Sequence, residues 1–158
     1  MKRWMPRKMI CWLAASLMLA GVLGVSSPAF AKKAKKAKAQ KILINLTKYA
    51  DDYHAAFMAV KLGKALIKSG AKVTIFVNLE GARLSDKRLP LKVFWGPSTT
   101  PLSKVLRAYF KVGGKLLVCP HCAKAAGIKP GDLRKGAKIG TMKDITSAML
   151  SADKILSY

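Results

Sequence analysis

The sequence has few of the side chains that proteins use to bind metal ions. Its 158 residues include three cysteines and two histidines. Apart from Cys11 near the N-terminus, the candidate ligands are Cys119, Cys122, His121 and His54. A structural zinc site needs four ligands, and the adjacent His121 and Cys122 would chelate awkwardly. We therefore expect no metal site.

Two features that would identify an organic cofactor are also missing. The exit of the first predicted strand reads NLTKYADD and has no Gly/Ser/Thr phosphate loop, and Asp51 and Asp52 would repel a phosphate there. Covalent haem attachment needs a histidine directly after the second cysteine of a Cys-x-x-Cys pair, and Ala123 occupies that position. The sequence therefore predicts no cofactor.

The N-terminus has the three parts of a signal peptide. A positive segment, MKRWMPRK, precedes an uncharged apolar run of roughly 17 residues, which is at the short limit for a membrane span. The segment ends in the small-x-small pattern Ala29-Phe30-Ala31. We predict a signal peptide at 1–31, a basic disordered tail at 32–40, and one domain at 41–158. Cleavage of the signal peptide would remove Cys11. The expected localisation is periplasmic or secreted.

Acidic residues are scarce. The chain has 7 Asp and Glu against 30 Lys and Arg, and Glu80 is the only glutamate. Cleavage after Ala31 would leave a net charge of +19, which favours contact with anionic membranes, polymers or an acidic partner. A solvated lysine surface explains the same charge equally well. Because an exported protein does not meet chromosomal DNA, we do not expect nucleic acid as a partner.

Strand and helix patterns alternate along the domain. Strands are predicted at 41–46, 72–78, 115–118, 137–141 and 154–158, and helices at 51–70, 100–114 and 141–153. Residues 79–100 read as a long connection with one helical turn or a short strand at 91–95. The alternation predicts a three-layer α/β/α fold with a mostly parallel sheet of about five strands.

The Cys-Pro-His-Cys motif follows the third predicted strand, and parallel sheets place ligands and chemistry at the carboxyl ends of their strands. Pro120 suits a first helical position, so Cys119 is predicted as the N-cap, with His121 and Cys122 in the first turn. A sulfur there would face unpaired N–H groups, and Lys124 and a protonated His121 would add positive potential. These surroundings favour a nucleophilic thiolate.

Other interpretations of the same residues stay open. A structural disulfide would close a loop of only four residues and contribute roughly 2 kcal/mol, and the cysteines could equally be a buried, inert pair. Glu80 is a candidate proton acceptor or orienting group, and His54 a candidate to face the strand ends. Solvated or packed positions explain both equally well.

The domain resembles the DsrE/DsrF-like family of sulfur-relay and sulfur-transfer proteins. The resemblance rests on KILINLTKYADDYHAAFMAVKLGKALIKSGAKVTIFVN, on GGKLLVCPHCAKAAGI and on GAKIGTMKDITSAMLSADKILSY. It implies a fold close to flavodoxin in style, assembly into oligomers, and a cysteine that carries sulfur as a persulfide. Cys119 matches the position of the sulfur-carrying cysteine, and Cys122 matches a second cysteine of simpler members. Relay members are generally cytoplasmic, and the predicted export departs from that pattern.

The leading hypothesis is an exported persulfide carrier, or a sulfurtransferase, that acts with a sulfur donor or acceptor protein or a small sulfur compound and forms a homo-oligomer. Cys-Pro-His-Cys also resembles the active site of periplasmic thiol oxidases, so dithiol redox activity is an alternative. A thioredoxin fold is not expected, because two strands precede the motif and only Pro130 follows it. A third hypothesis is a non-enzymatic oligomeric binding module whose cysteines are incidental and whose basic surface recruits an anionic partner. The basic tail at 32–40 is in addition a candidate contact with an anionic surface.

Overall fold

The computed structural model describes residues 38–158. The predicted signal peptide and residues 32–37 of the predicted tail lie outside the described residues. Within residues 38–158, no helix combines the length and apolar character that a membrane span requires.

The domain is built on one sheet of five parallel strands. The strands are β1 Lys41–Leu46, β2 Lys72–Val77, β3 Lys115–Val118, β4 Ala137–Ile139 and β5 Lys154–Ser157. Their order across the sheet is β4-β3-β2-β1-β5, and every neighbouring pair is parallel. The predicted sheet is confirmed in strand number and direction.

Four α-helices connect the strands: α1 Tyr53–Lys68, α2 Leu102–Lys111, α3 Pro120–Ala125 and α4 Met142–Leu150. Asp52 caps α1 by accepting the Ala55 N–H, and Thr141 and Asp144 form the predicted capping box of α4. Two 3₁₀ helices, Leu79–Ser85 and Pro130–Asp132, complete the elements of the described residues.

The two faces of the sheet are covered unequally. On one face α1 and α2 bury the larger core, in which Phe57 and Tyr109 are fully inaccessible. On the other face, α4 contributes Ile145 to a small cluster with Leu43 and Phe76. The predicted three layers are therefore present, with most of the apolar burial on the α1–α2 side.

For the long connection at 79–100, the sequence predicted either a helical turn or a short strand at 91–95, and the strand is wrong. A helical turn does form, as the 3₁₀ helix Leu79–Ser85, but residues 91–95 form no strand. The reason lies at the start of α2, where the carbonyls of Leu91 and Val93 accept the N–H groups of Ser103 and Leu102 at 3.0 and 2.9 Å. These carbonyls satisfy helix donors instead of a strand ladder.

Candidate functional site

Cys119 lies directly after β3, at the carboxyl end of the sheet, and is the N-cap of α3. Its N–H donates to the carbonyl of Val77 at 3.0 Å, and its carbonyl accepts the N–H of Ala123 at 2.9 Å. Pro120 occupies the first turn, where its missing N–H costs nothing. The placement of Cys119 and Pro120 in the fold is as predicted from the sequence.

The surroundings of the Cys119 sulfur differ from the expectation. The Cys119 side chain accepts no capping hydrogen bond from the N–H groups of α3. It is partly buried and packs against the apolar cluster of Leu43, Phe76 and Ile145. A cysteine sulfur is a weak acceptor, so apolar packing competes well with a capping bond at this position.

Cys122 faces a different environment. Its side chain packs against the larger core on the α1–α2 side, and its Sγ accepts the N–H of Leu79 at 3.1 Å. Both cysteines are free thiols and both are partly buried. Two sulfurs that are three residues apart therefore have distinct partners: an apolar cluster for Cys119 and a backbone donor for Cys122.

The pKa of the Cys122 thiol is raised above its ordinary value. Burial is the largest cause, and the neighbouring Cys119 sulfur raises the pKa further. The Leu79 N–H opposes both by stabilising the thiolate, but it does not outweigh them. Cys122 therefore keeps its proton to higher pH than a solvated cysteine.

The donor to Cys122 comes from an unusual stretch of backbone at the exit of β2. Leu79 has a φ of +48°, in the left-handed region that non-glycine residues seldom occupy, and the residue is 66% exposed. Strain of this kind is concentrated at functional sites. The Leu79 side chain gains no burial from this conformation, whereas its N–H reaches the Cys122 sulfur.

Gly81 holds this stretch against the end of β1. Its N–H donates to the carbonyl of Thr47 at 2.9 Å, and a Cβ at position 81 would overlap the carbonyl oxygen of Leu46. Sequence reasoning did not find Leu79 or Gly81. The sequence did contain one signal. Gly81 stands three residues after the predicted strand 72–78, at the carboxyl end of the sheet where the cysteine motif also lies.

The remaining candidate residues are dispersed around the site. His121 and Lys124 are exposed on α3. Glu80 forms an exposed ion pair with Arg83 at 2.9 Å. His54 stacks on Trp95, with ring centroids 3.7 Å apart and planes 5° from parallel. The structure thus places Cys119, Pro120 and Cys122 together at the end of β3. The roles of all seven candidate residues stay predictions.

Within residues 38–158, no three His, Cys, Asp or Glu side chains lie close enough together to hold a metal ion. What the site offers chemically is two free thiols with different surroundings at the carboxyl edge of a parallel sheet. Such a pair can undergo thiol–disulfide or persulfide exchange.

Together, the parallel sheet and the cysteine pair after β3 define a class of α/β domains with thiols at a strand end. The chain belongs to the DsrE/DsrF-like family, whose model matches residues 40–158. The resemblance found in the sequence is confirmed, and the family suggests a role related to sulfur relay.

Individual proteins resemble this chain in sequence or in fold. A curated relative, the uncharacterized protein MJ0989 of Methanocaldococcus jannaschii, is 28% identical over 104 residues, which is 65% of this chain and 86% of that protein. The crystal structure of the ychN protein from E. coli aligns with a TM-score of 0.61 at 19% identity, over 77% of this chain and all of that one. A protein of unknown function, MTH1491 from Methanobacterium thermoautotrophicum, aligns with a TM-score of 0.54 at 14% identity, over 75% and 99% of the two chains.

Proposed function

We propose that this protein is a sulfur carrier in which Cys119 holds a sulfane sulfur as a persulfide and Cys122 is the partner thiol. The observation that carries the proposal is the difference between the two sulfurs. Cys122 accepts the Leu79 N–H and has a raised pKa, whereas Cys119 is held at the strand end without a capping bond. Family membership supports the sulfur chemistry.

Loading is a sulfur transfer without net oxidation. The Cys119 thiolate attacks the outer sulfur of a donor persulfide R–S–SH, forming Cys119–S–SH and releasing R–S⁻. Unloading is the same exchange with an acceptor thiolate, which receives the SH group and regenerates the Cys119 thiolate. The partner in each step is a protein thiol or a small sulfur compound.

The raised pKa of Cys122 protects the loaded state. A Cys122 thiolate would attack the inner sulfur of Cys119–S–SH, forming the Cys119–Cys122 disulfide and releasing sulfide as HS⁻. The thiolate is the attacking species, so a Cys122 that keeps its proton makes this loss slow at neutral pH.

Dithiol redox activity is the second candidate. The observation that favours it is that the Cys119 sulfur lies near enough to raise the pKa of Cys122, so the two thiols are neighbours. Here both cysteines are required, because a substrate disulfide is reduced while Cys119 and Cys122 are oxidised to a disulfide.

Export, cleavage after Ala31 and homo-oligomer assembly belong to the same proposal. The signal-like N-terminus supports a periplasmic or secreted carrier, and the basic residues that follow it support contact with an anionic surface.

Intact mass spectrometry after exposure to glutathione persulfide tests the carrier. We expect the wild type and Cys122→Ser each to gain the mass of one sulfur, which reductant removes. We expect Cys119→Ala to gain no sulfur at position 122. Loss of two hydrogens in the wild type, with no sulfur gain in either single variant, would favour the dithiol function. No change in any form would overturn both.

A further inference from the structure

A concave site lies away from the cysteines, between α2, the segment that follows the first 3₁₀ helix, and the residues that lead into β4. Its volume is about 800 Å³, within the range of small-molecule sites. Backbone pairing fixes its walls. The Ser103 N–H donates to the Leu91 carbonyl at 3.0 Å, and the Arg134 N–H donates to the Ser85 carbonyl at 2.8 Å.

The floor of this groove is apolar. Its large side chains are Leu91, Leu106, Phe110 and Leu133. The Phe110 ring lies against the backbone of Gly136, where a Cβ would come within 2.6 Å of the ring. Gly136 has a φ of +96° and so admits the ring at a point where no other residue would.

All charged residues on the rim of the groove are cations. It carries Lys87, Arg107, Lys111, Arg134 and Lys135, and no carboxylate lines the groove. Arg134 is partly buried, its guanidinium donates to the carbonyls of Leu84 and Leu89, and it forms no ion pair with any described residue. Burial lowers the pKa of Arg134, and the charges of Tyr49 and Asp86 oppose this shift without outweighing it.

This protein cannot easily supply the missing negative charge from a second copy. All seven Asp and Glu side chains lie within the described residues. Each of these carboxylates accepts a hydrogen bond from a donor within the chain. None of these donors belongs to a cation of the groove rim. The chain is also strongly positive, so copies repel one another at a cationic rim.

We propose that the groove binds a small amphipathic organic anion, with its aliphatic or aromatic body on the leucine–phenylalanine floor and its carboxylate or sulfonate group among the cations of the rim. The site is separate from the thiols. Gly114 and Gly136 lie at the amino ends of β3 and β4, whereas Cys119 follows the carboxyl end of β3, about 16–17 Å from Gly114 along the strand.

Fluorescence titration of the purified protein with anilinonaphthalene sulfonate tests this site. Arg107→Gln/Lys111→Gln removes two exposed rim cations without touching the floor, and Lys104→Gln is the matched control on the same helix outside the groove. We expect saturable binding of one probe per chain and a Kd about tenfold higher in the double variant. Lys104→Gln should bind as the wild type does. Decanoate should displace the probe, and decanol should not.

Four results would overturn the proposal. Two come from the titrations: equal affinity of the probe for the double variant and the wild type, or equal displacement of the probe by decanol and decanoate. The other two are binding to anionic vesicles with none to free decanoate, and a changed oligomeric mass of the double variant without ligand. The last would make the groove an interface between copies. Thermal unfolding of all forms distinguishes loss of binding from loss of fold.

Discussion

At the scale of single residues, the site depends on the few positions where the chain departs from regular structure. Leu79 turns into the left-handed region and presents its N–H to Cys122. Asn78 joins the exits of two strands, since its side-chain amide donates to Asn45 Oδ1 at 2.6 Å. These residues fix the surroundings of the Cys122 sulfur before any substrate arrives.

Gly81→Ala tests this close packing at the end of β1. The added Cβ would overlap the Leu46 carbonyl oxygen, so we expect a loss of about 1–3 kcal/mol in the free energy of unfolding. The matched control is Gly131→Ala, because a Cβ at position 131 meets no atom within 4 Å. Urea unfolding measures both. A Gly81→Ala protein as stable as the control would contradict the close approach.

The cysteine motif was predictable from the sequence, but the surroundings of its sulfurs were not. Pro120 and the preceding apolar run are local signals, and they place Cys119 at a strand end and helix start. The Leu79 N–H is brought to Cys122 by a segment 43 residues earlier in the chain. The packing of Cys119 on Phe76 and Ile145 likewise depends on tertiary structure.

At the scale of elements, short apolar runs predicted the central strands, which are buried on both faces, and helical periodicity predicted the helices, which bury one face. The buried residues of α2 recur at helical spacing: Leu102, Val105, Leu106 and Tyr109. The 3₁₀ helix Leu79–Ser85 was predicted only as a turn of unspecified position within 79–100. It has no apolar period, and contacts with the end of β1 determine its position.

Tyr109 joins α2 to the sheet, and Tyr109→Phe tests that connection. The Tyr109 hydroxyl is buried, donates to the Lys115 carbonyl at 3.0 Å and accepts the Lys115 N–H at 3.1 Å. Its removal leaves backbone groups without a partner, so we expect a loss of about 1–3 kcal/mol in urea unfolding. Tyr53→Phe is the control, since the Tyr53 hydroxyl has no hydrogen-bond partner among the described residues. Equal stability of the two variants would argue against a structural role for the Tyr109 hydroxyl.

At the scale of the whole molecule, the dominant property is positive charge, set against seven Asp and Glu side chains that each accept at least one hydrogen bond within the chain. Hydrogen bonds lower the pKa of Asp51, Asp86 and Asp144 below the ordinary value. For Asp86 the largest cause is the Arg88 side chain, which forms a bidentate pair with this buried carboxylate, with Nη2 and Oδ2 2.7 Å apart.

Acid unfolding follows from these pairs. Because the folded-state pKa values lie below the unfolded ones, the stability they contribute is present above about pH 4 and is lost as the pH falls through the folded values. We expect Asp86→Asn to lose about 1–3 kcal/mol at pH 7 and to show a weaker decline between neutral and acidic pH. Urea unfolding at a series of pH values measures this, with Asp153→Asn at an exposed carboxylate as control. A decline as steep as in the wild type would show that Asp86 is not responsible.

The central claim is that Cys119 carries the sulfur and that Cys122 spares it by keeping its proton. The most direct measurement is the lifetime of the loaded persulfide against pH, followed by mass spectrometry in the wild type and in Cys122→Ser. We expect equal lifetimes at neutral pH, and a faster loss in the wild type alone as rising pH ionises Cys122. Rapid collapse of the wild type at neutral pH to the Cys119–Cys122 disulfide, with release of sulfide, would contradict the claim.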